Sequence, residues 1–174
     1  NPITFECYLT DVEVNRTFNS YGLAATEISP EGATTTLAYD DYNLYPDIET
    51  NALNQVTTYE YNIINGQVAT TTDPNGAMTV NSYDAFGRLS QVKVTNPENT
   101  SQLVIKQDIT YQDSTLPRYK ETKDYFTATN YITSREYYDG LDRAIQTKSQ
   151  LDNGNYATVD IGYDDRGRVA RQSL

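Results

Sequence analysis

The sequence predicts an all-β fold made of consecutive antiparallel β-hairpins. Three observations lead there: a Tyr-Asp motif that recurs along the chain, a second turn motif placed between its copies, and connecting segments rich in Thr, Val, Ile and Tyr. Apolar residues at three- and four-residue spacing do not persist for a dozen residues anywhere, so no long helix is predicted.

The Tyr-Asp motif is clearest at Tyr83-Asp84-Ala85-Phe86-Gly87-Arg88-Leu89. It returns as Tyr138-Asp139-Gly140-Leu141-Asp142-Arg143-Ala144 and as Tyr163-Asp164-Asp165-Arg166-Gly167-Arg168-Val169. Weaker copies begin at Phe18, Tyr39, Tyr61 and Tyr111. The lead aromatics are 21, 22, 22, 28, 27 and 25 residues apart, so the first copies are nearly regular and the later ones carry insertions, expected as longer loops. Recurrence at this period is the mark of a repeat architecture, in which each unit buries its face against the next.

Each motif has a physical reason to reverse the chain. Asp84 can accept the backbone N–H two residues on, and Gly87 can take the left-handed conformation that closes a hairpin with a bulge. Arg88 leaves the turn beside Asp84 and can pair with it or with a neighbouring copy. Asn43 and Asp142 stand where Gly87 and Gly167 stand elsewhere, and both residue types tolerate positive φ better than most.

The second turn lies ten residues before the lead Tyr in three copies: Ser29-Pro30-Glu31-Gly32, Asn51-Ala52-Leu53-Asn54 and Asp73-Pro74-Asn75-Gly76. In the last of these Pro74 pre-sets φ and the Asp73 carboxylate can accept a nearby N–H, which fits a type I turn. One unit therefore reads turn, strand, Tyr-Asp turn, strand. Gln67 to Thr72 and Ala77 to Tyr83 are predicted strands. Alternation along them is imperfect: Leu89 and Val92 would face opposite sides unless a bulge intervenes.

The 174 residues include 16 Tyr but no Trp, 1 Met and 4 Phe, so buried surface must be built largely from Tyr rings whose hydroxyls reach water or a partner. The recurring lead Tyr fits packing of one hairpin on the next. A net charge of −11 repels phosphate backbones and anionic membranes, so neither nucleic-acid binding nor membrane insertion is predicted, and no run of eighteen apolar residues exists. The segment opening at Asn1-Pro2-Ile3-Thr4 does not read as a signal peptide.

Together, the YDxxGR copies and the DPNG-type turns at a spacing near 22 resemble the YD or Rhs repeat family, over about Phe18 to Leu174. The tail from Tyr137 through Leu174 is similar to the B component of bacterial toxin complexes. The resemblance implies a curved strip of hairpins, or part of a hollow β-shell that holds an unfolded toxic polypeptide. The whole of 1–174 then reads as one repeat segment of a much larger secreted or cell-surface bacterial protein. Its implied partners are the rest of its own chain, partner toxin subunits and an encapsulated cargo. The residues implied to carry the repeat are Tyr83, Asp84, Gly87, Arg88, Tyr138, Asp139, Arg143, Tyr163, Asp164, Gly167 and Arg168. In some members a downstream module cleaves the cargo with an aspartate-based DPxGL-like element. Asp73-Pro74-Asn75-Gly76 is followed by Ala77 and matches its sister turns, so it is read as a plain turn.

No catalytic residue, cofactor or metal site is predicted. With no His, the usual triads are missing, and the lone Cys7 cannot form an internal disulfide. Asp84, Asp139 and Asp164 occupy turn positions that explain them. Asp40-Asp41 and Asp164-Asp165 do not sit in a calcium-loop pattern and read as solvated turn acids, and Asp152-Asn153-Gly154-Asn155 reads as a hairpin turn. Asn15-Arg16-Thr17 and Asn99-Thr100-Ser101 are N-glycan acceptor triplets, relevant only in a eukaryotic secretory route. The alternative to a structural segment is a surface adhesin that binds carbohydrate or protein through aromatics such as Tyr125 and Tyr131.

Overall fold

A computed structural model describes residues 13–173, and Cys7 and the Asn1-Pro2-Ile3-Thr4 segment lie outside them. The chain divides into two compact units, one up to Gly76 and one from Ala77. The first contains β1 (Asn15–Phe18), β2 (Ala24–Ile28), β3 (Thr34–Tyr39), β4 (Pro46–Thr50), β5 (Val56–Asn62) and β6 (Gln67–Thr72). The second contains β7 (Met78–Tyr83), β8 (Leu89–Asn96), β9 (Asn99–Gln112), β10 (Arg118–Tyr125), β11 (Tyr131–Tyr138), β12 (Ala144–Gln150), β13 (Tyr156–Tyr163) and β14 (Val169–Gln172). There is no helix among the described residues. Within each unit every strand pairs antiparallel with its neighbours in sequence, so the fold is the predicted all-β succession of hairpins.

Both turn types fall where the sequence places them. In the Tyr-Asp turns Gly87 and Gly167 take φ of 77° and 76°, while Asn43 and Asp142 take 54° and 63° in the same role. The intervening turns close by an i+3 to i bond: Gly32 N–H to the Ser29 carbonyl at 2.8 Å, Asn54 to Asn51 at 2.9 Å and Gly76 to Asp73 at 2.9 Å. Asp73 Oδ1 also accepts the Asn75 N–H at 2.8 Å, as predicted for its carboxylate. Gly154 closes on Leu151 at 2.9 Å between β12 and β13.

The imperfect alternation has one recurring cause. In six of the Tyr-Asp hairpins the register slips by one residue just after the turn, opposite the lead aromatic. Tyr83 pairs with Leu89 and Ser82 with Gln91, so Ser90 is left without a cross-strand partner. The equivalent bulge residues are Ala25, Asp47, Ala69, Ile145 and Ala170. One such insertion flips the faces of everything after it, which resolves the conflict between Leu89 and Val92. The β9–β10 pair keeps its register, and its turn lacks the full motif.

The longer later copies correct an expectation. Much of the extra chain goes into strands: β3 to β6 run five to seven residues, whereas β8, β10, β11 and β13 have eight and β9 has fourteen. Extending a hairpin keeps each added N–H and C=O paired, which a loop of the same length does not.

Burial is shallow. Among the described residues Ile109 is the one buried hydrophobic side chain, joined by the hydroxyl-bearing Thr70 and Thr133. The half-buried faces rely on rings and long side chains instead. Tyr45 stacks on Tyr61 with centroids 4.6 Å apart, and Tyr119 meets Tyr137 at 5.6 Å across β10 and β11. Side chains that cover one another across strands can stabilise a thin layer without a thick oily interior.

Candidate functional site

The Tyr-Asp turns contain the motif residues, and the three that carry both Asp and Arg are built alike. At Asp84 the backbone N–H donates to the Arg88 carbonyl at 2.8 Å, and the Gly87 N–H donates back to the Asp84 carbonyl at 3.0 Å. Asp84 Oδ1 accepts the N–H groups of Phe86 and Arg88, both at 2.9 Å. Its other oxygen accepts Arg88 Nε at 2.8 Å. Asp139 repeats this with Leu141 and Arg143 at 2.8 and 3.0 Å, and Arg143 Nε at 2.8 Å. Asp164 repeats it with Arg166 and Arg168, both at 2.9 Å, and Arg168 Nε at 2.8 Å. A carboxylate is needed because one oxygen serves the backbone while the other serves the guanidinium. Asn19, in a copy without Arg, serves only the backbone, accepting from Tyr21 and Leu23 at 3.0 Å each.

These bonds favour the ionised acids. The backbone N–H and guanidinium of Arg143 hold the Asp139 carboxyl below the usual range, and Arg168 does the same for Asp164. At Asp84 partial desolvation pushes the other way, but the bonds from Arg88 and Phe86 win and the carboxyl is again lowered. All three carboxylates are thus committed to the turn, the opposite of the raised pKa that a general acid requires.

The motif Arg also reaches into the next copy. Arg88 lies over the Tyr111 ring at 3.9 Å and bonds Asp113 at 2.8 Å. Arg143 lies over the Tyr163 ring at 4.6 Å. The hydroxyl of each covered Tyr then donates to the carbonyl of the residue after that Arg: Tyr111 to Leu89 at 3.2 Å, and Tyr163 to Ala144 at 2.7 Å. The same latch appears without Arg in the first unit, from Tyr39 to Ala24 at 3.0 Å and from Tyr61 to Pro46 at 2.9 Å. Asp, Arg, the next lead Tyr and a bulge-flanking carbonyl thus form one cassette spanning two copies.

Sequence reasoning anticipated the ring packing and the Asp–Arg pair but missed the hydroxyl latch. Its signal was the choice of Tyr over Phe at positions 39, 61, 111 and 163, where packing alone would accept either. Tyr138 departs from the pattern. Its hydroxyl donates to Glu136 at 2.6 Å, and burial together with that carboxylate pushes the phenol well above its ordinary value. The turn before it lacks the full motif, and Arg118 from that turn bonds the Asp139 carbonyl and Asp142 Oδ1, both at 3.1 Å. Tyr125 and Tyr131 pack at 5.1 Å, and the Tyr125 hydroxyl is bonded to Asp108 at 2.9 Å.

The recurring turn, bulge and latch can be compared with known proteins. Residues 65–101 match the family described as RHS Repeat. Solved structures share the fold of nearly the whole chain. The crystal structure of TcdB2-TccC3 superposes with a TM-score of 0.71 at 13% identity, covering 90% of this chain and 10% of that one. TcdB2-TccC3-Cdc42 gives 0.67 at 21% identity, covering 92% and 9%. The Photorhabdus luminescens Tc holotoxin pore with a mutated TccC3 gives 0.66 at 20% identity, covering 91% and 9%. The chain thus spans about a tenth of the solved chains it matches. No curated protein matches it.

Proposed function

We propose that this Rhs-repeat segment forms part of the wall of an encapsulating β-shell in a secreted bacterial toxin-complex protein, and that it is non-catalytic. The observation that carries the proposal is the two-copy cassette. Asp84, Gly87, Arg88, Asp139, Arg143, Asp164, Gly167 and Arg168 are spent on turning the chain, and Arg88 and Arg143 with Tyr111 and Tyr163 fasten one copy to the next. Such fastening is what a wall requires and what an active site cannot spare. The aligned toxin chains, about ten times longer, support a much larger parent protein. Its other partners would be fellow toxin subunits and an enclosed polypeptide.

Electron microscopy of the full-length parent protein tests this. A hollow particle with residues 13–173 in its wall is the expected result. A solid particle, or one with this segment projecting as a free lobe, overturns it. So does saturable binding on a glycan array that is lost on substituting Tyr131, since that outcome assigns the segment to an adhesin.

A further inference from the structure

Of the turns whose lead aromatic is followed by Asp, the one at Tyr39-Asp40 lacks the Arg that Asp84, Asp139 and Asp164 each hold. The turn starting at Tyr39-Asp40 is one residue longer: the Asp40 N–H closes on the Tyr45 carbonyl at 3.0 Å, where Asp84 closes on Arg88. Tyr45 therefore stands at the position of the motif Arg. Like Arg88 over Tyr111, it lies on the lead ring of the next copy, stacking on Tyr61 at 4.6 Å. Asp40 Oδ1 still accepts two backbone N–H groups, from Leu44 at 2.7 Å and Tyr45 at 3.3 Å, but no Arg or Lys lies in the turn to serve its other oxygen.

A cavity of about 380 Å³ opens here, within the first unit. Tyr42, Tyr45, Tyr59 and Tyr61 line it together with Asp40, Asp41, Asp47 and Glu60, and no basic residue does. Asp47 is the bulge residue of this hairpin, where the sister bulges carry Ala, Ser or Ile. Its Oδ1 is buried and has no hydrogen-bond partner, a costly state for a carboxylate oxygen. The acids do not gather into a group of three able to hold a metal ion.

We infer that this cavity binds an arginine side chain presented by another polypeptide segment. Rings plus carboxylates without a built-in cation form the complement of a guanidinium, which stacks on aromatic faces and donates to carboxylates in one plane. The chain itself supplies the precedent, since Arg88 and Arg143 are held by an Asp of the turn and the Tyr of the next copy. The volume falls in the range of small-ligand sites, about 300–1,000 Å³. This inference does not depend on the shell reading.

The test is titration of the folded chain with the peptide acetyl-Gly-Arg-Gly-amide, followed by NMR of the Tyr ring signals. Saturable shifts at Tyr45 and Tyr61 are expected, with none from the same peptide carrying uncharged citrulline. Asp47→Asn should weaken binding roughly tenfold, the worth of one charge-assisted hydrogen bond. Tyr45→Arg, which restores the residue type of the sister turns, should abolish binding while leaving the fold intact. Equal shifts from the citrulline peptide, unchanged binding by Tyr45→Arg, or no saturable shift at these rings overturns the inference.

Discussion

Gly66 offers a way to separate backbone strain from side-chain contact. It sits at φ 70°, and a Cβ placed on it would lie 2.6 Å from the Tyr45 hydroxyl oxygen and 3.3 Å from the adjoining ring carbon. Gly32 has φ 84° with nothing within 4 Å of the same added atom. Substituting Ala at Gly32 therefore costs only the left-handed backbone, about 1–2 kcal/mol. At Gly66 the same cost applies, and the Tyr45 ring must also move. That ring is stacked on Tyr61, so moving it forfeits about 0.5–1.5 kcal/mol more. Gly66→Ala is thus expected to cost about 1.5–3.5 kcal/mol in all, by addition of these two contributions. Urea unfolding of both variants, repeated in a Tyr45→Ala background, isolates the second contribution as a coupling energy. The reasoning fails if Gly66→Ala is no worse than Gly32→Ala, or if its excess survives removal of the Tyr45 ring.

Other expectations concern the latch, the acids, the phenols and the outer strand. Tyr163→Phe should lose about 1 kcal/mol in urea unfolding, and Tyr111→Phe less, because their hydroxyl bonds measure 2.7 and 3.2 Å. Equal losses would show that the hydroxyl geometry does not matter. The carboxyls of Asp84, Asp139 and Asp164 are lowered in the folded state, so their contribution is present above the ordinary Asp pKa of about 3.9 and is lost as pH falls through the lower folded values. Urea midpoints should therefore drop below about pH 4, and the triple Asp→Asn variant should show a shallower acid limb. The phenols of Tyr59, Tyr61 and Tyr111 are raised, chiefly by desolvation, so they should ionise after the exposed tyrosines in an ultraviolet titration. Their contribution is full below the ordinary phenol pKa of about 10 and disappears as pH rises through the folded values. Finally, β14 ends the strand order of the second unit with four exposed residues, and its free edge should drive concentration-dependent association of the isolated 174-residue chain. Sedimentation showing a monomer at every concentration would contradict this.

Most of the fold was legible because turns are local. The Asp73-Pro74-Asn75-Gly76 and Tyr83-to-Arg88 reversals depend on residues a few positions apart, and the strands between them follow from where the turns fall. What escaped was non-local or geometric. The bulge beside Leu89 leaves no compositional trace beyond a broken alternation, since Ser90, Ala25 and Asp47 share no side-chain chemistry. The hydroxyl latch joins residues 15 to 22 apart in the sequence, a distance over which spacing alone names no partner. The cavity at Asp40 was hidden differently. Its acids read as ordinary turn residues until the extra residue in that turn put Tyr45 in place of an arginine.

The cassette has a direction, from the arginine of one copy to the tyrosine of the following one. Consequently the heritable module of such a chain is not the motif as written but the junction between two successive motifs. A gene duplication or exchange that breaks within Tyr83 to Arg88 can regenerate a working turn from two halves. One that separates Arg143 from Tyr163 must bring in a replacement aromatic or leave a seam. Lengthening by whole periods is therefore open to such genes, whereas swapping single copies between unlike neighbours is restricted wherever the cassette joins them.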